Sequence, residues 1–140
     1  MLHYLSGGSK HNASEFYGRK IVGAELQKAD DNQSRWDRGG KDAIVLKFED
    51  GSGVALWDDG QSCCESRYIT CDDDLSKIVG GTLTRIEPKE TKDIEGEYGD
   101  CHEQVFIEIG TDECFVTVCT HNEHNGYYGG FGLTLDVLKP

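Results

Sequence analysis

The chain has 140 residues, room for one domain with one core. Hydrophobic residues make up 36% of it, enough for a compact fold, and 18 Gly against 2 Pro point to many tight turns between short elements. The net charge of −12 repels polyphosphate, which argues against long DNA or RNA as a partner, whereas a few local Arg side chains and backbone N–H groups suffice to hold one small anion.

No apolar stretch approaches the roughly 20 residues that span a bilayer, so no membrane association is expected. The first twelve residues lack the apolar core of a signal peptide, and the expected location is the cytoplasm. There the six cysteines, Cys63, Cys64, Cys71, Cys101, Cys114 and Cys119, are expected to be reduced. Adjacent Cys63 and Cys64 close a disulfide ring only with strain.

In chain order, residues 1–18 are polar and read as a flexible N-terminal arm, with 19–140 as a single β-rich domain. A strand is predicted over 20–27, where Ile21, Val22 and Leu26 supply apolar content. Residues 28–41 are charged and read as a long loop with Trp36 inside it. A hairpin follows: 43–49 is one strand, Asp50-Gly51 the turn, and 54–57 the return. Residues 63–70 read as partly extended. Acidic Asp72-Asp73-Asp74 ahead of 75–79, with Gly80-Gly81 behind, predicts a short helix over 72–79. The triple Asp otherwise suggests a calcium loop, but the rest of that loop's spacing is missing.

A strand over 82–87 is expected to stop at Pro88, and 89–99 reads as a charged loop. Residues 102–109 alternate, with Val105, Ile107 and Ile109 on one face. Residues 110–112 turn the chain, 113–120 is a strand, and 132–137 is the last, with Leu133, Leu135 and Val137 sharing a face. Six or seven strands without strand-helix alternation argue against a parallel nucleotide-binding sheet. The fold class is mainly β: a small antiparallel barrel-like or sandwich domain with one or two short helices.

Two stretches carry function-like residues, both read as loops: 62–65 and 121–131. The second combines His121, Asn122, Glu123, His124, Asn125, Tyr127, Tyr128 and Phe131 with three glycines. Glycine lets a backbone approach a ligand closely, aromatic rings offer stacking faces, and Asn donates and accepts in one plane. The plainer reading is a Gly-rich hairpin pinned by its aromatics. In 62–65, Cys63-Cys64-Glu65 suggests a thiol beside a carboxylate. A negative neighbour raises a thiol pKa, so the better reading is two small residues, one inward and one outward, with Glu65 tying the loop by hydrogen bonds.

Cys101-His102 and the Cys119 to His124 run put soft ligands close together. Zinc wants four ligands in a tetrahedron, and Cys-x2-Cys spacing is absent, so neither metal nor other cofactor is expected. His121, His124, Glu65 and Glu123 are candidate acid–base groups, but no hydrolase motif supports them and an enzyme is not expected.

Cys63-Cys64-Glu65, then Asp72-Asp73-Asp74-Leu75 with Gly80, then Asn125-Gly126-Tyr127-Tyr128 together resemble a family of small domains of unknown function found in phages and bacteria. That resemblance spans roughly 21–137 and implies no activity. In length, acidity and β-rich layout the chain is also similar to phage anti-defence sponges, the Thoeris anti-defence proteins. This second resemblance implies a protein that sequesters a cyclic ADP-ribose-type signal without cleaving it and assembles as a dimer or an assembly of dimers. It implies an aromatic and an asparagine at the ligand, here Phe115 and Asn125 by position, with Arg67 or Arg85 meeting phosphate. The expected ligand-binding set is therefore Phe115, Asn122, His124, Asn125, Tyr127, Tyr128, Phe131, Arg67 and Arg85. The expected partner is a small nucleotide-derived signalling molecule. The alternatives are an acidic protein-binding inhibitor of a host defence factor and a small metal- or thiol-dependent hydrolase.

Overall fold

A computed structural model describes residues 12–28, 42–58, 66–95, 101–124 and 133–138. They form eight strands: β1 (Ile21–Gln27), β2 (Ala43–Phe48), β3 (Gly53–Asp58), β4 (Ser66–Thr70), β5 (Leu83–Glu95), β6 (Cys101–Thr111), β7 (Phe115–His124) and β8 (Leu133–Leu138). Two one-turn 3-10 helices, Ala13–Phe16 and Leu75–Ile78, complete the described elements. The strands make two four-stranded antiparallel sheets, β1-β2-β3-β8 and β4-β7-β6-β5. Among the described residues each sheet ends in two edge strands, and an isolated bridge between Lys20 and Thr82 links the β1 and β5 edges at one corner, so the layout is a sandwich and not a closed barrel.

The first hairpin forms where the sequence places it. Gly51 takes φ +91° in the turn, which a residue with a Cβ adopts only with strain, and Asp50 accepts the Ser52 backbone N–H at 2.9 Å. Alternate residues of the two sheets then meet in one core. Ile44, Leu46, Val54 and Leu56 come from the first sheet, and Val105, Ile107, Ile109 and Val118 from the second, all at most 3% exposed. Fully burying each such side chain favours folding by about 1.5–3 kcal/mol. On β8 the inward row runs out at its end: Leu133 and Leu135 are buried, but Val137 is 39% exposed.

Several expected boundaries move. Within the stretch read as an arm, Ala13 and Phe16 are buried in the core, and Phe16 stacks on Phe48 with ring centroids 6.1 Å apart. Pro88 does not end its strand; β5 continues to Glu95. The physical reason is position: β5 is an edge strand, and its register shifts between Pro88 and Glu90, so the missing N–H interrupts no central ladder. The helix expected over 72–79 is a single 3-10 turn. Asp74 caps it by accepting the Ser76 N–H at 3.0 Å, and Gly80 follows at φ +96°.

Candidate functional site on the outer face of the second sheet

The period of two along β7 divides its side chains. Val116, Val118, Thr120 and Asn122 face the core at no more than 1% exposure. Phe115, Thr117, Cys119, His121 and Glu123 therefore face outward. On the neighbouring strands Tyr68 and Thr70 of β4, and His102, Gln104 and Glu108 of β6, share that outer face. Two clusters form there. His121 lies six positions beyond Phe115 along β7, which puts the clusters about 20 Å apart.

The first cluster crosses three strands. Arg85 of β5 pairs with Gly110 of β6, which pairs with Phe115 of β7. Gly110 has no side chain, and a Cβ there would sit 2.4 Å from the Arg85 guanidinium carbon. The guanidinium lies across this gap, with its carbon 5.8 Å from the centroid of the Phe115 ring. Its Nε donates to Glu108. Phe115 is 52% exposed, so the ring keeps open surface beside a fixed cation.

The second cluster centres on His121, which is buried among its neighbours across β4 and β6. Tyr68 lies directly opposite in the ladder and stacks on the imidazole, with centroids 4.4 Å apart and planes 8° off parallel. The Tyr68 hydroxyl donates to Glu123 Oε2 at 2.5 Å. His121 Nε2 is 2.7 Å from Thr70 Oγ1, and its Nδ1 is 2.9 Å from His102 Nε2. Gln104 Nε2 also reaches His102 Nε2, at 3.4 Å. Close by, buried Asp42 accepts from Lys28 Nζ at 2.7 Å and from the Ile69 N–H at 2.9 Å, tying β2 to the β4 edge.

Two of these groups titrate away from their ordinary values. Burial, and then the charge of His102, lower the His121 pKa, against an opposing pull from Glu123. The Tyr68 hydroxyl is pushed up to about 12, first by burial and then by its hydrogen bond to Glu123. Both shifts favour the neutral form at pH 7. Of the free thiols Cys71, Cys101, Cys114 and Cys119, Cys71 is raised, mainly by burial, which keeps it a poor nucleophile. Among the described residues no group of three or more His, Cys, Asp or Glu can hold a metal ion. No described helix is long and apolar enough to cross a membrane.

The expected ligand set divides on this frame. Phe115 and Arg85 come together. Asn122 is fully buried on the opposite face of β7, with Nδ2 3.5 Å from Glu103 Oε1. Arg67 and His124 lie on β4 and β7, while Asn125, Tyr127, Tyr128 and Phe131 lie outside the described residues, as do 62–65 and Trp36. The stretch 121–131 is not all loop: 121–124 continues β7, paired with β6 down to Cys101 opposite His124. Sequence reading passed over Tyr68, Thr70 and Gln104, and it weighed His102 only as a metal ligand. Carrying the alternation of 102–109 backward and that of 113–120 forward puts His102, Gln104, His121 and Glu123 on one face.

An antiparallel β-sandwich with a polar, histidine-bearing outer face is thus the class of protein. Residues 14–132 match DUF7448, a domain of unknown function, and the chain belongs to that family. No curated protein and no solved structure matches the chain.

Proposed function

We propose that this protein captures a nucleotide-derived signalling molecule of the cyclic ADP-ribose type and holds it uncleaved, as a phage anti-defence sponge would. The observation that carries this reading is the Phe115–Arg85 pair: a half-exposed ring beside a guanidinium laid across Gly110. A base stacks on such a ring for about 1–3 kcal/mol, and an adjacent guanidinium meets phosphate. The proposal gives the chain a homo-oligomeric form. Phe115 begins β7 and His124 ends it, about 30 Å away, so a ligand that touches both ends of β7 bridges two copies.

Calorimetric titration with cyclic ADP-ribose tests it, with mass spectrometry of the ligand released by heat. The expected result is saturable binding, intact ligand on release, and about a 5- to 150-fold weaker affinity in Phe115→Ala, the factor that 1–3 kcal/mol represents. No binding at millimolar ligand sinks the reading and turns attention to an acidic inhibitor of a host protein. A cleaved product makes the protein an enzyme.

A further inference from the structure

The second cluster belongs to a different chemistry and does not rest on the nucleotide reading. We propose that Thr70 is an activated hydroxyl nucleophile, with His121 as its base and His102 as the positioning residue, and that it accepts acyl groups from activated carboxylic esters.

The geometry supplies each requirement in turn. A nucleophile needs a base within about 2.6–3.2 Å, and the base needs a third group to orient it. Thr70 Oγ1 lies 2.7 Å from His121 Nε2, and His121 Nδ1 lies 2.9 Å from His102 Nε2. Gln104 Nε2 lies 3.4 Å from the same His102 nitrogen. In the proposed state the proton shared between the two rings sits on His121 Nδ1, which leaves Nε2 to accept from the Thr70 hydroxyl. Tyr68, stacked on the imidazole, holds its plane. Glu123 sits close enough to favour a positive His121 once it has taken a proton, and the Tyr68 hydroxyl holds that carboxylate in place. The lowered pKa of His121 keeps it unprotonated at neutral pH, as a base must be.

In the step proposed, Thr70 Oγ bonds to the ester carbonyl carbon while its proton passes to His121 Nε2. The tetrahedral adduct collapses, the bond to the leaving alkoxide breaks, and that alkoxide takes the proton from Nε2. Acyl-Thr70, a free alcohol and neutral His121 result. Water attacking the acyl carbon through the same base would return free Thr70 and a carboxylic acid.

Incubating the protein with p-nitrophenyl acetate, then intact and peptide mass spectrometry, tests the proposal. The expected result is a single acetyl group on Thr70, its rate rising with pH and levelling off below the ordinary histidine value. His121→Gln should cut that rate at least tenfold, and Thr70→Val should abolish the acetylated peptide. His102→Gln should move the pH profile while leaving the labelled residue the same, which a purely structural His102 would not do. Acetylation elsewhere only, or equal labelling of Thr70 in a folded His121→Gln variant, overturns the proposal. If His121→Gln does not fold, nitrogen NMR of the wild type decides: a proton on Nε2 of His121 overturns it, and one on Nδ1 is the expected state.

Discussion

The two sheets use their outer faces in opposite ways. On the first sheet Ala43, Val45, Ala55 and Trp57 turn away from the main core, yet each is at most 6% exposed. The Trp57 indole N–H donates to Asp136 at 2.9 Å, and the ionisable Glu25 and Lys47 on the same face are exposed. The second sheet carries Tyr68, Thr70, His102, His121, Glu123, Arg85 and Phe115 on its outer face. The outer face of the first sheet is thus apolar at its centre with Glu25, Lys47 and Asp136 around it, whereas the outer face of the second is crossed by hydrogen-bonded polar and aromatic side chains. Both proposals rest on the sheet whose outer face keeps groups that donate, accept and stack. A shallow depression of about 300 Å³ over Gly23, Val45 and Lys47 of the first sheet has no comparable set.

The contrast is most exposed to a pair of truncations. Trp57→Ala should cost about 3–5 kcal/mol in denaturant unfolding, since it empties a buried site and leaves Asp136 without its donor. Phe115→Ala on the second sheet should change stability by no more than about 0.5 kcal/mol, because half of the ring already faces water. Equal costs would show that both outer faces are structural.

Acid sharpens the contrast next. His121 takes its proton less readily in the fold than in the unfolded chain, where its ordinary value is 6.5. The unfolded state therefore binds protons first as pH falls, so this contribution to stability is intact above 6.5 and is lost as pH falls through the lower folded value. Tyr68, His102, Glu123, Lys28 and Asp72 are the titrating groups around it, and of these Glu123 and Asp72 work against the shift. Unfolding midpoints measured from pH 7.5 down to about 4.5 should drop in the wild type more than in His121→Gln. Parallel curves would remove His121 as the cause.

A comparably small effect on stability is expected of Gly110→Ala. The new methyl meets the far end of a flexible Arg side chain, so stability should move by only about 0.5 kcal/mol. Arg85 should nevertheless leave its place across the strand, visible as a shifted Arg85 Nε–H resonance and as weakened nucleotide binding. An unmoved resonance would mean that the guanidinium is not held there by the absence of a Cβ.

Much of the architecture was legible in the amino-acid order. The alternation of Val105, Ile107 and Ile109 identified a strand and its buried face, and Asp50-Gly51 identified a hairpin, because a period of two and a positive φ are local properties. The mainly β fold class followed from many such signals without helical periodicity. Pro88 misled, since whether a missing N–H matters depends on whether the strand is central or at an edge. His121 to His124 misled for a similar reason: polar residues look like loop until a partner strand supplies their hydrogen bonds.

The local sequence by itself determined the strands, the turns and the abundance of polar and aromatic groups. Only the tertiary structure decided which of those groups meet. Tyr68, His102 and His121 are far apart in the chain and become neighbours solely because β4, β7 and β6 lie side by side in one register. Phe115 and Arg85 meet because Gly110 stands between them in the ladder. Cross-strand register is set by long-range burial of one face against another sheet, a property that no short stretch of sequence contains.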